Sequence, residues 1–348
     1  MIAREVSRIR VSAVSRHLKV AGVQLDIDCP TSKLSQYASF LREVRKALPP
    51  ELEISITALL DWFHNGTDIG KVIVEVDEFV PQFYDLSNPY GYDEGPAIAA
   101  SIDARRWGPV FNRFRKRFRV GISTFGRARV VPRERVSTAG RLAIRFFHDL
   151  VPLDIATHRT FQLQATRNQT NELVLSYQAT RKSTVGYNVL EPGDKVEFII
   201  TTPETIRAAV ESARQMRGYL AGVVFFRWPT SNETLSMWPD EVLNAAGLST
   251  QVHQVQNRIQ VVNGRCVSVE CVDVYVEGAD PFSPKPVRYR IRSSARLEYF
   301  VPEANMPVAM TDPSLLELSL PPYCGRGRLY LGRAITDTRS EFTLEQQP

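Results

Sequence analysis

The sequence predicts an α/β protein: a parallel sheet flanked by helices, with a β-rich insertion and a β-rich C-terminal region. Three observations carry this. Short apolar runs that alternate with polar residues are separated by longer stretches with apolar residues at spacings of three and four, the strand and helix periods in turn. Strand and helix succeed one another over most of the chain up to about residue 229, the pattern of a parallel sheet with helices outside. From 159 to 201, and again from about 250, strand-like runs follow each other across Asn, Gly and Pro turns with no helix between them.

Residues 3–18 read as a helix leading into a strand at 20–28, "VAGVQLDID", in which Val23, Leu25 and Ile27 alternate with Gln24, Asp26 and Asp28. A helix follows over 33–47, with Leu34, Tyr37, Leu41, Val44 and Leu48 on one face, Thr31 or Ser32 as N-cap and Pro49-Pro50 as the stop. "LEISITAL" (52–59) is a second strand with Ser55 and Thr57 on its polar side, and "VDEFVPQFYDL" (76–86) a third, with Gln82 and Tyr84 sharing a face. A helix over 99–119 leads to the fourth, "FRVGISTFGRARVV" (118–131). Thr202 and Pro203 start a helix with Ile206, Val210 and Ala213 inside, and "GYLAGVVFFRWP" (218–229) is the fifth strand. The predicted domains are 1–157, sheet and helices; 158–202, the β-rich insertion; 203–248, the last helix and strand; and 249–348, a C-terminal β domain of sandwich type. The insertion is expected to form antiparallel strands packed on that last domain, since neither has a helix to cover its apolar face.

The 348 residues are 43% hydrophobic and 23% charged, an ordinary globular composition. The net charge of +5 is too mild to imply nucleic acid or a membrane surface. Part of it sits in "RRWGPVFNRFRKRFR" (105–119), where Phe111, Phe114 and Phe118 share one helical face and the arginines lie elsewhere, the layout of an outer helix with a solvated side. No apolar run approaches the ~18 residues of a membrane span. The N-terminus has no signal-peptide core, so the compartment stays open; secretion or envelope association would need a leader upstream. Cys29, Cys266, Cys271 and Cys324 fit neither a disulfide scaffold nor a paired zinc motif, though one bridge, Cys266–Cys271 or Cys266–Cys324, is compatible with their placing.

The strands carry motifs that together resemble one family. "GVQLDIDCP" is similar to the fourth-strand signature of chitinase-like glycoside hydrolase barrels, Asp-Gly-x-Asp-x-Asp-x-Glu-Tyr-Pro. "PQFYDL" (81–86) resembles their sixth-strand Met-x-Tyr-Asp, and "GISTFGR" (121–127) their seventh-strand Gly-x-Pro-x-Tyr-Gly-Arg. "AGVVFFRWP" (221–229) stands where their eighth strand ends in tryptophan. The whole chain also resembles a bacterial family described only as a domain of unknown function, with the same "QLDxDCxT" and "FFRWP" stretches. The resemblance implies a (β/α)8-type barrel with its site at the C-terminal ends of the strands. It matches the first strand here to the family's fourth, so the barrel is expected to lack its first three βα units, through a missing N-terminus, and to show five parallel strands with an open edge at Asp26.

In the family the last acidic residue of the fourth-strand signature protonates the leaving-group oxygen. Aligned on Pro30, Asp28 takes that place, Asp26 the preceding carboxylate and Gln24 the first. Aspartate is one methylene shorter than glutamate, which sets its proton back by roughly 1–1.5 Å. On residue chemistry alone, positions i and i+2 of a strand lie about 6.5–7 Å apart, within the range of glycosidase carboxylate pairs. Like charges at that distance push one pKa up, leaving one acid and one carboxylate. Asp28 is thus assigned as general acid and Asp26 as supporting carboxylate. Gln24, Gln82, Tyr84 and Asp85 are assigned to substrate binding, the last two by the family's Tyr-Asp pair. Phe226 and Trp228 share a face and compete as the sugar-stacking platform; alignment favours Phe226 and chemistry Trp228, and Trp228 is the one assigned. Trp62 is a further stacking candidate. Cys29 reads as packing.

The reading is an enzyme, a glycosidase-like hydrolase acting on a polysaccharide or glycan, with no cofactor, no metal, no nucleic acid partner and a monomeric state expected. The alternatives are a carbohydrate-binding barrel without catalysis, or a metal-dependent hydrolase built on Asp26, Asp28 and Asp85.

Overall fold

The computed structural model describes residues 2–84, 102–133, 145–147, 151–167, 173–185, 188–229, 233–250, 257–267, 269–279, 285–303, 306–322 and 327–346. In chain order the first elements are α1 (Ile2–Val14), β1 (Gly22–Leu25), α2 (Leu34–Ala47), β2 (Glu53–Ala58), α3 (Ile69–Val74), β3 (Glu78–Pro81), α4 (Ala104–Asn112) and β4 (Arg117–Ser123). Next come β5 (Arg127–Val131), β6 (Arg145–Phe147), α5 (Pro152–Ala156), β7 (Phe161–Arg167), β8 (Leu173–Ala179), β9 (Ser183–Val185), β10 (Asn188–Leu190) and β11 (Lys195–Ile200). They are followed by α6 (Pro203–Arg214), β12 (Leu220–Phe226), α7 (Pro239–Ala245), β13 (Arg258–Asn263) and β14 (Glu270–Ala279). The chain ends with β15 (Val287–Ser293), β16 (Leu297–Pro302), β17 (Val308–Asp312), β18 (Leu315–Leu320), β19 (Gly327–Thr336) and β20 (Phe342–Gln346).

The chain divides into two compact units, 1–124 with 203–227, and 125–202 with 228–348. The division differs from the predicted domains at two places. Residues 118–131 are not one strand: β4 ends at Ser123 in one unit and β5 begins at Arg127 in the other. The insertion and the C-terminal region group together, and the second boundary falls at 227 rather than 248.

In the first unit five strands form one sheet in the order β1-β2-β3-β4-β12, every neighbouring pair parallel. The helices follow from amphipathic spacing. α2 buries Leu34, Tyr37, Ala38, Leu41 and Val44, a stripe at three- and four-residue steps. α6 buries Ile206, Ala209, Val210 and Ala213, and Asp103 caps α4 by accepting from the Arg105 and Arg106 N–H groups. Neither Thr31 nor Ser32 caps α2; both lie in a 3-10 turn that precedes it. One face of the sheet is apolar: Ile54, Ile56, Phe79, Phe118 and Ile122 are fully buried. Beneath it Phe63, Phe111 and Phe114 gather around Phe79, with Phe63 and Phe111 edge-on at 4.9 Å. Of the phenylalanines of the basic stretch, Phe111 lies on α4, Phe114 in the turn after it and Phe118 on β4, so the helix expected over 99–119 ends at Asn112 and these rings meet around Phe79 rather than along one helical face.

Asp77, at the entry to β3, ties the sheet to α2. Its carboxylate accepts from the Ile54 N–H at 2.8 Å and pairs with Arg45. Burial pushes the acid up, but the Ile54 N–H and the Arg45 guanidinium outweigh it and hold it below the ordinary range. A carboxyl whose pKa falls on folding adds stability above its unfolded pKa, about 3.9, and loses it as pH falls through the lowered value. Asp77→Asn is therefore expected to cost about 1–2 kcal/mol near neutral pH, moderated by partial exposure. In urea unfolding that deficit should shrink as pH drops below about 4; a constant deficit would assign the loss to packing.

The second unit is antiparallel. Its first sheet runs β6-β5-β11-β8-β7, with β9 and β10 as a separate hairpin. Two four-stranded sheets, β13-β14-β19-β16 and β17-β18-β15-β20, share one apolar core that includes Val274, Val276, Leu329, Leu331, Ile291 and Leu316. Leu153 of α5 joins that core, while Ile155, two residues on, joins the core of the first sheet. The short helix α5 thus contributes to the cores of both the insertion sheet and the C-terminal sheets, where the sequence led one to expect strands packed on strands with no helix between them. Cys266 and Cys271 form a disulfide, and Cys324 lies outside the described residues.

Candidate active site

The polar face of the parallel sheet carries the candidate residues. Parallel register places Gln24 beside Ser55 and Ser55 beside Glu78, and the side chains follow: Gln24 Nε2 donates to Ser55 Oγ at 3.3 Å, and Arg119 Nε to Glu78 Oε1 at 2.9 Å. One step toward the C-terminal ends of the strands lies Asp26. Its Oδ1 accepts from Thr57 Oγ1 at 2.6 Å and from Gln82 Nε2 at 3.3 Å. Thr57 and Gln82 are buried and Asp26 is exposed, so two fixed donors hold an outward-facing carboxylate.

The strand itself is shorter than its alternation predicts. β1 ends at Leu25, and the Cys29 N–H bonds back to Ile27 O at 2.9 Å, a three-residue turn with Asp28 at its apex. Asp28 is exposed at this turn rather than aligned on a strand face. For the same reason Ile27 does not go under the helices with Leu25 but stays 37% exposed. Tyr37 of α2 lies under this end of the strand. Burial pushes its phenol well up, and the negative groups at Cys29, Asp26 and Asp28 add to that. Its hydroxyl is buried with no hydrogen-bond partner among the described residues.

Tyr84 and Phe226 stack on each other at 4.5 Å between ring centres, 19° from parallel. Gly121 makes room for the tyrosine: a Cβ there would sit 2.8 Å from Tyr84 Cε1 and 3.1 Å from Pro81 O. Gly121→Ala is expected to push the ring off Phe226 at a cost of about 1–3 kcal/mol. Urea unfolding checks this; a wild-type midpoint would show that the ring can move freely.

Two stacking assignments need correcting. Trp62 is fully buried in a 3-10 turn, its Nε1 donating to Cys29 O at 2.9 Å and its ring edge-on to Tyr37, so it offers no face to a ligand. Phe226 has one face occupied by Tyr84. Trp228, at the start of the second unit's second segment, is 77% exposed. Cys29 is buried and its thiol is pushed up by desolvation, which suits packing. Asp85 lies outside the described residues. The sequence places Thr57 on the polar face, toward Asp26 and Asp28, by its step of two from Ser55, but assigns it no role; the hydrogen bond to Asp26 supplies one. Among the described residues no helix is long and apolar enough to cross a membrane.

Comparison with solved structures finds likeness to chitinase-type glycoside hydrolases at low identity. A chitinase from Chromobacterium violaceum aligns at 13% identity and a TM-score of 0.41 over 70% of this chain and 69% of that one. Chitinase ChiA74 from Bacillus thuringiensis aligns at 10% identity and 0.41 over 92% and 74%. The Bacillus cereus spore cortex-lytic enzyme SleL aligns at 13% and 0.41 over 70% and 52%. No curated protein matches the sequence. A family model covers residues 2–189, more than half of the chain, and the protein belongs to that family, described as Domain of unknown function (DUF3142).

Proposed function

We propose that the first unit is a partial (β/α)8-type barrel of glycosidase kind, lacking its first three βα units, and that Asp26 and Asp28 are its acid pair, acting on a polysaccharide. The observation that carries the reading is the Asp26 carboxylate at the C-terminal end of a parallel sheet. It is exposed, yet held by the buried Thr57 hydroxyl and Gln82 amide. That end is where barrels of this type place their chemistry. In this reading Asp28, at the apex of an exposed turn, gives a proton to the leaving oxygen, and Asp26, bonded only as an acceptor, supports the positive charge that develops on the sugar. Gln24, Gln82, Tyr84 and Asp85 contact the substrate. The two C-terminal sheets, which share one core, form a sandwich within the second unit.

A second reading, sugar binding without catalysis, is favoured by the exposed indole of Trp228. One experiment separates them. The purified protein is incubated with glycol chitin, xylan, soluble β-glucan and peptidoglycan, and both reducing-end release and retention in gels containing each polymer are measured. Hydrolysis lost in Asp28→Asn supports the acid pair. Retention without hydrolysis that is lost in Trp228→Ala supports the binding reading, and neither result on any polymer removes both.

A further inference from the structure

The second unit carries an aromatic face far along the chain from these carboxylates. In the sheet β13-β14-β19-β16, residues Val274, Val276, Leu329 and Ala334 point into the core, so their neighbours Asp273, Tyr275, Tyr330 and Arg333 stand on the opposite side. A bulge at Gly332, which has a left-handed φ of 142° and no space for a side chain beside Val301 O, shifts the alternation there. It brings Tyr330 and Arg333, three apart in sequence, onto one carboxylate: Tyr330 Oη donates to Asp273 Oδ1 at 3.1 Å and Arg333 Nε at 2.8 Å. Tyr275 and Tyr330 pair across the strands, ring centres 5.1 Å apart and tilted 45°. On β16, Tyr299 is 61% exposed, one row from Val301, which is in register with Arg333.

We propose that this face binds a neutral, β-linked polysaccharide chain, lying across Tyr275, Tyr330 and Tyr299. The chemistry matches on three counts. A β-linked pyranose presents a flat C–H surface with a rim of hydroxyls, and this face presents tyrosine rings with polar groups between them. Its charges are mostly spent on one another, Asp273 with Arg333 and Glu277 with Arg258, which disfavours a polyanion or polycation. Beside the Tyr275 ring two polar atoms have no hydrogen-bond partner among the described residues: Gln260 Oε1, on the residue opposite Tyr275, and Nε of Arg328, whose guanidinium lies 3.9 Å above the ring. Both are closed off from water, so a ligand hydroxyl reaches them only as those side chains swing, and the swing recovers a hydrogen bond the free protein leaves unmade. The surface lies wholly within the second unit and does not depend on Asp26 or Asp28.

The test is affinity electrophoresis of the full chain in gels containing soluble β-glucan, xylan, glycol chitin or heparin. Retardation by at least one neutral polymer is expected, weakened about five- to a hundredfold by Tyr275→Ala and by Tyr299→Ala, the range of aromatic stacking on a flat ring. Hydroxyl-radical footprinting of the wild type, with and without polymer, should show Tyr275 and Tyr299 protected, whatever the folding of the variants. Retardation by heparin alone, by no polymer, or undiminished in the Tyr275→Ala/Tyr299→Ala double variant with no footprint overturns the proposal. Hydrolysis at the carboxylate pair is scored separately by reducing-end release, so either idea can fail without the other.

Discussion

Asp28→Asn is expected to lower polysaccharide hydrolysis by about 10²–10⁴-fold, the usual contribution of a positioned general acid. Asparagine keeps the size and shape of the side chain, so the exposed turn at 27–29 should persist and thermal unfolding should match wild type. What it loses is the proton. Asp26→Asn should also be severe, since it removes a negative charge that Thr57 and Gln82 both address. Thr57→Val should be milder, near tenfold, because the carboxylate stays and Gln82 still holds it, so its shift falls short of the ~1 Å that costs on the order of a hundredfold. This ordering, Asp28 and Asp26 above Thr57, is what a catalytic pair predicts. Full activity of Asp28→Asn on a polymer the wild type cleaves would make both carboxylates structural and leave a likeness of fold alone.

How far the sequence reached depends on which interactions are local. The polar face was legible because period-two alternation in β1 and β2 survives parallel pairing: Gln24 meets Ser55, and one step on Asp26 meets Thr57. The helix stripe of α2 was legible for the same kind of reason, repeated spacing against one neighbour. The end of β1 was not. "LDIDC" alternates through residue 29, and only the bond from Cys29 N–H to Ile27 O turns the chain out of the strand after Leu25. Nor was the break at 124–127 visible in an unbroken strand-like run. Thr124 is claimed by β12, its N–H bonding to Phe226 O and its hydroxyl to Arg227 O, while Gly126 bonds to Leu235 O in the other unit. Partners a hundred residues away decide that boundary.

Trp62 shows the same limit and gives the largest expected loss of stability. Just past the second strand, Trp62 reads as a stacking candidate, but it is fully buried. Its indole N–H satisfies the Cys29 carbonyl at 2.9 Å, and its ring packs edge-on to Tyr37 at 5.8 Å. It therefore pins the turn that carries Asp28 to the 3-10 turn after β2 and to α2. Trp62→Ala should remove a large core side chain and orphan a carbonyl, a loss of about 3–5 kcal/mol. For a unit of this size that is a drop of roughly 10 °C in Tm. Trp62→Phe refills most of the space but cannot donate to Cys29 O, so it should fall between the two. The sign that separates a pinning role from sugar stacking is ligand binding in Trp62→Phe. A phenyl ring can stack on a sugar, so a stacking role would leave stability near wild type and alter affinity. A pinning role predicts the reverse, a lowered Tm with retention on polysaccharide gels unchanged, and an indole in the wild type that acrylamide does not quench.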